Sequence, residues 1–242
     1  MKIKDVISLL KEAIPYSHSW VQESYGAYGI KNPEKEVKKI LYCVTATSEV
    51  EHYFRAHKYD LLISHHPFIV QGIPQLIFHT ALDCCPNGLN DMWAKYLNVQ
   101  DSKPFDRNLG DVGTIEKTTF NDLVAKIETF IGHKIIGLKY SNGQPIESVV
   151  ICTGLGGMVI NQASCTKADC YITGELFSSD VADYGFKAVI EIGHTLSEFI
   201  GVTLFRSLLP DIQIDSAPLD IDYFSGETCQ GPKQYKKSGG FV

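Results

Sequence analysis

Ile40-Leu41-Tyr42-Cys43-Val44, then Thr47-Ser48-Glu49, then Leu61-Leu62-Ile63-Ser64-His65-His66-Pro67, carry the first architectural signal in the chain. The opening apolar run has the length and residue types of a buried strand. Thr47-Ser48-Glu49 reads as the start of a helix, and Leu61-Leu62-Ile63 as a second short strand. Strand, helix and strand make a βαβ-type unit. Shifted by 109 positions without a gap, Ile40 falls on Val149, Cys43 on Cys152, Val50 on Val159, Asp60 on Asp169 and Ile63 on Ile172. Internal duplication and the chance likeness of two α/β patterns both account for this match.

In either case the second strand of each unit runs out into polar groups, Ser64-His65-His66 in one and Thr173-Gly174-Glu175 in the other. A third such exit follows Ala188-Val189-Ile190, where Glu191-Ile192-Gly193-His194 leads into Thr195-Leu196-Ser197-Glu198 and the start of a helix. In α/β sheets functional groups gather at these places, because strands aim the side chains and loops leave room for a ligand.

Around these units, Val6, Ile7, Leu9, Leu10, Ala13 and Ile14 follow helical spacing, and Pro15 stops the helix. Residues 16–34 are turn-rich, and Thr118 to Ile131 reads as an amphipathic helix. A seam before or within 110–118 divides the chain into a first α/β lobe over 1–112 and a second over 113–225. The Gly- and Lys-rich stretch 226–242 follows as a loosely packed tail.

With 242 residues, 44% of them hydrophobic and 21% charged, the composition is that of an ordinary globular protein with an ample core. A net charge of −6 gives no basic field for non-specific binding to nucleic acid or anionic lipid, so a nucleotide-like ligand needs a local positive site. The five-residue run 40–44 is far short of the roughly 20 residues that span a bilayer, and Met1 to Ile14 lacks a signal peptide's apolar block. The sequence reads as cytoplasmic, with no membrane partner. Seven cysteines without a C-x-x-C suggest reduced, mostly buried thiols.

His65-His66-Pro67 is the most informative tripeptide. Neighbours in a regular strand face opposite ways, so two histidines reach one site only where the strand ends, and Pro67 helps to end it. Thirteen residues after His66 comes His79-Thr80-Ala81-Leu82-Asp83, whose closing Asp83 stands just ahead of the turn-forming Cys84-Cys85-Pro86-Asn87-Gly88. His194 and Glu198, four apart, share one side of a helix. Singly, these are equally a surface or core histidine pair, a capping aspartate and an exposed helical pair. Together they offer nitrogen and oxygen donors without thiolate, a set suited to Zn, Fe, Mn, Ni or Co. Five donors exceed the three of an open single-zinc site, which makes two ions plausible.

The strings Leu61–Pro67, His79–Asp83, Tyr171-Ile172-Thr173-Gly174-Glu175 and Gly193–Glu198 resemble, in order and over roughly residues 1–225, the GTP cyclohydrolase I type 2 homolog family. It is also called the Ngg-interacting-factor-like or dinuclear metal-centre family. The resemblance implies an α/β fold of two similar lobes, with mixed sheets flanked by helices and a dinuclear metal site in the cleft between them. It implies His65, His66, Asp83, His194 and Glu198 as ligands of two divalent transition-metal ions, and a homo-oligomer, commonly a hexameric ring. The length fits the family's short form, without its inserted domain. Three positions depart from the family pattern. Thr45 stands where relatives commonly carry Asp, Thr153-Gly154-Leu155-Gly156 replaces a Gly-Gly-Ser-Gly loop, and Ser179 stands where a His is frequent.

Two divalent ions against two carboxylates leave a positive excess that invites hydroxide or an anionic ligand. Such a pair brings the pKa of water from 15.7 towards about 7, so hydrolysis by metal-bound hydroxide is the natural reaction class. The attacked atom is C8 of a purine nucleotide or the phosphorus of a phosphoester. His79, Thr173 and Glu175 are candidates for orienting ligands, moving a proton or touching substrate, with a core histidine and a helix-start carboxylate as the plainer readings. Gly154-Leu155-Gly156-Gly157 either admits a phosphate to backbone amides or makes a tight turn. Trp20, Tyr25 and Tyr28 line a pocket mouth, pack in the core or form a subunit interface. The alternative function is a non-catalytic metal-binding or regulatory protein-interaction factor.

Overall fold

The computed structural model describes residues 1–135, 137–177 and 181–217. Ser179 and the stretch 226–242 read above as a tail lie outside them. In chain order the elements are α1 (Ile3–Ala13), β1 (Gly26–Tyr28), β2 (Lys39–Cys43), α2 (Ser48–Ala56), β3 (Leu61–Ser64), β4 (Gln75–Ile77), α3 (Thr80–Cys84) and α4 (Leu89–Leu97). There follow β5 (Gln100–Phe105), β6 (Gly110–Thr118), α5 (Phe120–Ile131), β7 (Lys139–Ser141), β8 (Ile146–Cys152), α6 (Ile160–Cys165) and β9 (Cys170–Thr173). The chain closes with β10 (Ala188–Glu191), α7 (His194–Phe199), α8 (Gly201–Leu208) and β11 (Gln213–Ser216).

Local chemistry sets the boundaries. α1 buries Ile3, Val6 and Leu10, and its cap Ile14 immediately precedes Pro15. α2 opens where Thr47 Oγ1 accepts from the Val50 amide at 3.2 Å. α5 starts at Phe120, the first residue of its apolar stripe and two after Thr118, because Thr118 is still paired in β6 and Thr119 is the cap, its Oγ1 accepting from the Asp122 amide at 3.2 Å. The turn-rich stretch 16–34 also holds β1, which at three residues is too short to show alternation.

The strands form two mixed sheets, ordered β1-β4-β3-β2-β11 and β5-β6-β8-β9-β10-β7. Within them one arrangement occurs twice. β2, β3 and β4 are parallel neighbours with β1 antiparallel on the outside; β8, β9 and β10 are parallel neighbours with β7 antiparallel on the outside. The register repeats too: Ile40 pairs with Leu61 and Cys43 with Ser64, while Val149 pairs with Cys170 and Cys152 with Thr173, each residue 109 positions on. Even the lead-in is shared, since Asp60 Oδ2 accepts from the Lys38 amide at 3.0 Å and Asp169 Oδ2 from the Glu147 amide at 2.8 Å. The gap-free match in the sequence is therefore a repeated lobe. Residue 112 lies inside β6, and β11 returns from the far end of the chain to pair with β2.

Strand alternation distributes the core. Ile40, Tyr42, Val149 and Ile151 join one central cluster that draws on both sheets and on α1, α4, α5 and α8. Leu41, Cys43 and Leu62 pack behind the first sheet with Val50 and Phe54, and Val150, Cys152 and Tyr171 pack behind the second with Val159 and Ala163. Burying each of these large apolar side chains contributes about 1.5–3 kcal/mol. Among the described residues no helix is long and apolar enough to cross a membrane. Five of the six described cysteines are buried, Cys165 being exposed.

Candidate metal centre

All the carboxyl ends of the parallel strands that carry the polar exits open onto one place. His65 and His66 follow β3, whose pairing with β2 continues through the His65 amide to the Cys43 carbonyl at 3.1 Å and the His66 amide to Val44 at 2.8 Å. Pro67, with no amide to donate, ends the pairing, and the two rings converge with centroids 5.3 Å apart. His194 and Glu198 share the first turns of α7, which springs from Gly193 at φ 110°. Glu198 is 2% exposed. Its Oε1 lies 3.3 Å from His65 Nε2 and 3.1 Å from His194 Nε2, and its Oε2 lies 3.2 Å from His66 Nε2. Asp83, in α3, has Oδ2 at 3.7 Å from His65 Nε2. The five sequence-predicted donors are thus brought together, from positions 65 to 198.

Several of these atoms meet without hydrogen bonding. Nε2 of fully buried His65 and Oε2 of Glu198 have no hydrogen-bond partner, although donors and acceptors lie within 3.7 Å of them. Buried polar atoms left this way are costly, and a cation in their midst is what satisfies them. The sets His66–His194–Glu198 and His65–Asp83–Glu198 each have their donor atoms within 4.8 Å of one another, close enough to hold a metal ion. The residues present therefore fit a metal.

With this geometry in view, comparison with known proteins places the chain. The profile of the family described as Duf34/NIF3 (NGG1p interacting factor 3) matches residues 1–78 and 71–221. The chain belongs to the Duf34/NIF3 family. A protein of Methanocaldococcus jannaschii named GTP cyclohydrolase 1 type 2 homolog is 26% identical, over 93% of this chain and 99% of its own. Among solved structures, reduced HcgD from Methanocaldococcus jannaschii superposes with a TM-score of 0.75 at 23% identity, covering 89% of this chain and 97% of its own. A Bacillus cereus protein related to NIF3 gives 0.75 at 14% identity, covering 100% and 99%. These likenesses establish the two-sheet α/β fold.

Around the donors of this Duf34/NIF3 chain, a layer of partners fixes their aim. Thr45 lies with Oγ1 2.7 Å from His66 Nδ1, which turns Nε2 inward. The Thr153 hydroxyl donates to Asp83 Oδ1 at 3.0 Å, while Asn90 accepts from the Thr153 amide at 2.9 Å and donates to the Asp83 carbonyl at 3.1 Å. Asp83 is therefore clamped by the other lobe. Glu175 sits 2.8 Å from His194 Nδ1, as an orienting carboxylate should. Thr173 Oγ1 instead lies under the glycine loop, only 2.0 Å from where a Cβ on Gly156 would be. Three of the loop's four amides are also already engaged: Gly154 donates to Ser197 Oγ at 2.9 Å, Gly156 to the Gly154 carbonyl and Gly157 to the Glu175 carbonyl. It acts as a tight turn rather than a phosphate cradle. Gly154, at φ +63°, leaves room for Glu198, whose Oε1 would be 2.4 Å from an added Cβ.

Sequence reasoning missed Glu23. Its carboxylate bonds His79 Nδ1 and accepts from the Thr80 amide at 2.9 Å and the Thr80 hydroxyl at 2.6 Å. It comes from the turn-rich stretch, where no spacing marks it. Tyr25 packs on Phe78 and bonds the Ile14 carbonyl, a structural role. Trp20 lies beneath the Arg107 guanidinium, 4.6 Å from its ring. A cleft of about 280 Å³ lined by Leu97, Ile115, Lys117 and Lys126 among others includes none of the donors.

The charges are unbalanced in a telling way. Burial disfavours the His65 imidazolium, yet Glu198 and Asp83 push its pKa up to about 9. Burial opposes His194 likewise, and Glu198 with Glu175 raises it to about 9. At His66 burial prevails and lowers the pKa. Glu198 is held well below the usual carboxylate range by His65 and His194 despite its burial, whereas burial raises Asp83. The buried carboxylates thus favour positive charge at this point. Burial, with help from Asp83, pushes Cys85 up to about 12 and Cys84 and Cys152 higher still, so these thiols stay protonated and are poor ligands.

Proposed function

We propose that this chain holds two divalent transition-metal ions through His65, His66, Asp83, His194 and Glu198 and hydrolyses a nucleotide or similar anionic substrate. The observation that carries the reading is Glu198, a carboxylate that three Nε2 atoms approach to within 3.1–3.3 Å. When bound, such ions supply Lewis acidity and lower the pKa of a water towards about 7. Glu198 would supply one carboxylate to the ions, and Asp83, steadied by Thr153, would add the second negative charge. Two carboxylates against two dications leave the site attractive to an anion. His194 and Glu175, 27% and 48% exposed, form the side by which substrate enters and a leaving group's proton can be exchanged. The name of the chain's relatives puts purine nucleoside triphosphates first among candidates.

Metal analysis should find about two ions per chain, and none after joint His65→Ala and Asp83→Ala replacement. A panel of GTP, other nucleotides and phosphodiesters, assayed with Mn, Zn, Co or Fe, should show turnover that Glu198→Ala abolishes. Two bound ions with no turnover on any member would favour a non-catalytic metal-binding or regulatory role. We propose in addition a homo-oligomer, hexameric by resemblance, for which a solution mass of six chains is the expected result.

A further inference from the structure

His79 and Asp83 mirror His194 and Glu198. Each pair is four residues apart within a His-Thr-x-x-acid sequence, His79-Thr80-Ala81-Leu82-Asp83 and His194-Thr195-Leu196-Ser197-Glu198. Each follows a parallel strand at the same position in its repeated lobe, β4 in one and β10 in the other. A carboxylate from a separate segment holds Nδ1 in both cases, Glu23 for His79 and Glu175 for His194. The two imidazoles are even equally open to solvent, at 26% and 27%. A carboxylate on Nδ1 fixes the tautomer that leaves the Nε2 lone pair free, the form in which histidine ligates a metal.

His79 also stands among the donors. Its ring centroid is 5.1 Å from that of His65 and 5.5 Å from that of His66, comparable with the 5.2 Å between His66 and His194. Donor atoms of His65, His66 and His79 lie within 4.8 Å of one another. A histidine merely satisfied in the core needs no place beside two other imidazoles with its Nδ1 already taken by a carboxylate. We propose that His79, aimed by Glu23, is a sixth metal ligand, doing for the first lobe what His194 and Glu175 do for the second. This rests on the two-ion reading above. It also gives Glu23 a task, since that largely buried carboxylate spends one oxygen on His79 Nδ1 and the other on Thr80, locking the ligand's backbone and ring together.

Cobalt(II) titration of metal-free protein, followed by its visible d–d absorption and by competition with a chelator, tests this without any assay of turnover. Wild type should take up two ions. His79→Ala should weaken at least one of them by about 10–100-fold and alter the absorption bands, and free imidazole should restore both. Glu23→Gln keeps the side chain's shape and reads the same question independently of whether His79→Ala folds; about a tenfold loss is expected. Two ions held by both variants with unchanged affinity and unchanged bands overturn the ligand role of His79 and leave the two-ion reading standing. A wild type that takes up none overturns both.

Discussion

Thr45 touches His66 Nδ1 with an uncharged hydroxyl, and that one contact determines which nitrogen His66 presents to the other donors. Thr45→Val preserves shape but releases the ring, so metal affinity measured by chelator competition should fall by about tenfold, and Thr45→Asp should recover it. Gly154 is equally exacting: alanine there meets an unfavourable left-handed backbone costing about 1–2 kcal/mol, and its Cβ displaces Glu198. Gly154→Ala should lower the denaturant midpoint and the bound metal together. At this scale the sequence was generous with donors and silent about their supports. His65, His66, Asp83, His194 and Glu198 are reactive types in suggestive spacings, whereas Glu23, Asn90 and Thr153 act through contacts 56 to 70 positions away that no local pattern encodes. His79 did carry a signal, the twice-used His-Thr-x-x-acid sequence, visible once the lobes are aligned.

Asp60 and Asp169 each tie the end of a helix-to-strand connection to the start of the neighbouring parallel strand. Burial opposes ionisation at both, but hydrogen bonds from Lys35 and the 38 and 39 amides, and from Lys187 and the 147 amide, hold both carboxyls below their usual value. A depressed folded-state pKa adds stability that is fully present above the unfolded value of about 3.8 and is lost as pH falls through the lower folded value. Asp60→Asn or Asp169→Asn should therefore reduce thermal stability near neutrality, and the difference from wild type should shrink below about pH 4. Elements with a caste of their own were readable: β2, β3, β8 and β9 as apolar runs, α1 and α5 as helical stripes. The β5–β6 hairpin was not, because β5 is exposed along almost its whole length and contains Pro104, leaving neither alternation nor apolar run to find.

Across the whole molecule, side chains of one lobe grip the backbone of the other's site helix. Trp93 Nε1 donates to the Ser197 carbonyl at 2.8 Å and the Tyr42 hydroxyl to the Glu198 carbonyl at 3.0 Å. Tyr42→Phe should cost about 1 kcal/mol. With the central cluster shared between both sheets, far-ultraviolet and near-ultraviolet dichroism should also report a single coincident unfolding transition. The two-lobed plan was legible because a repeated unit leaves its mark twice; the return of β11 was not, since pairing across more than 170 positions has no local trace.

That return has a consequence for how the protein is made. On the ribosome, β2 emerges early, but the strand that covers its outer side is translated only after nearly everything described here, at Gln213–Ser216. Throughout synthesis the nascent first sheet exposes an unpaired edge of the kind that recruits strands from other chains. Cells making this protein quickly should thus depend on chaperones that shield that edge until the last strand arrives.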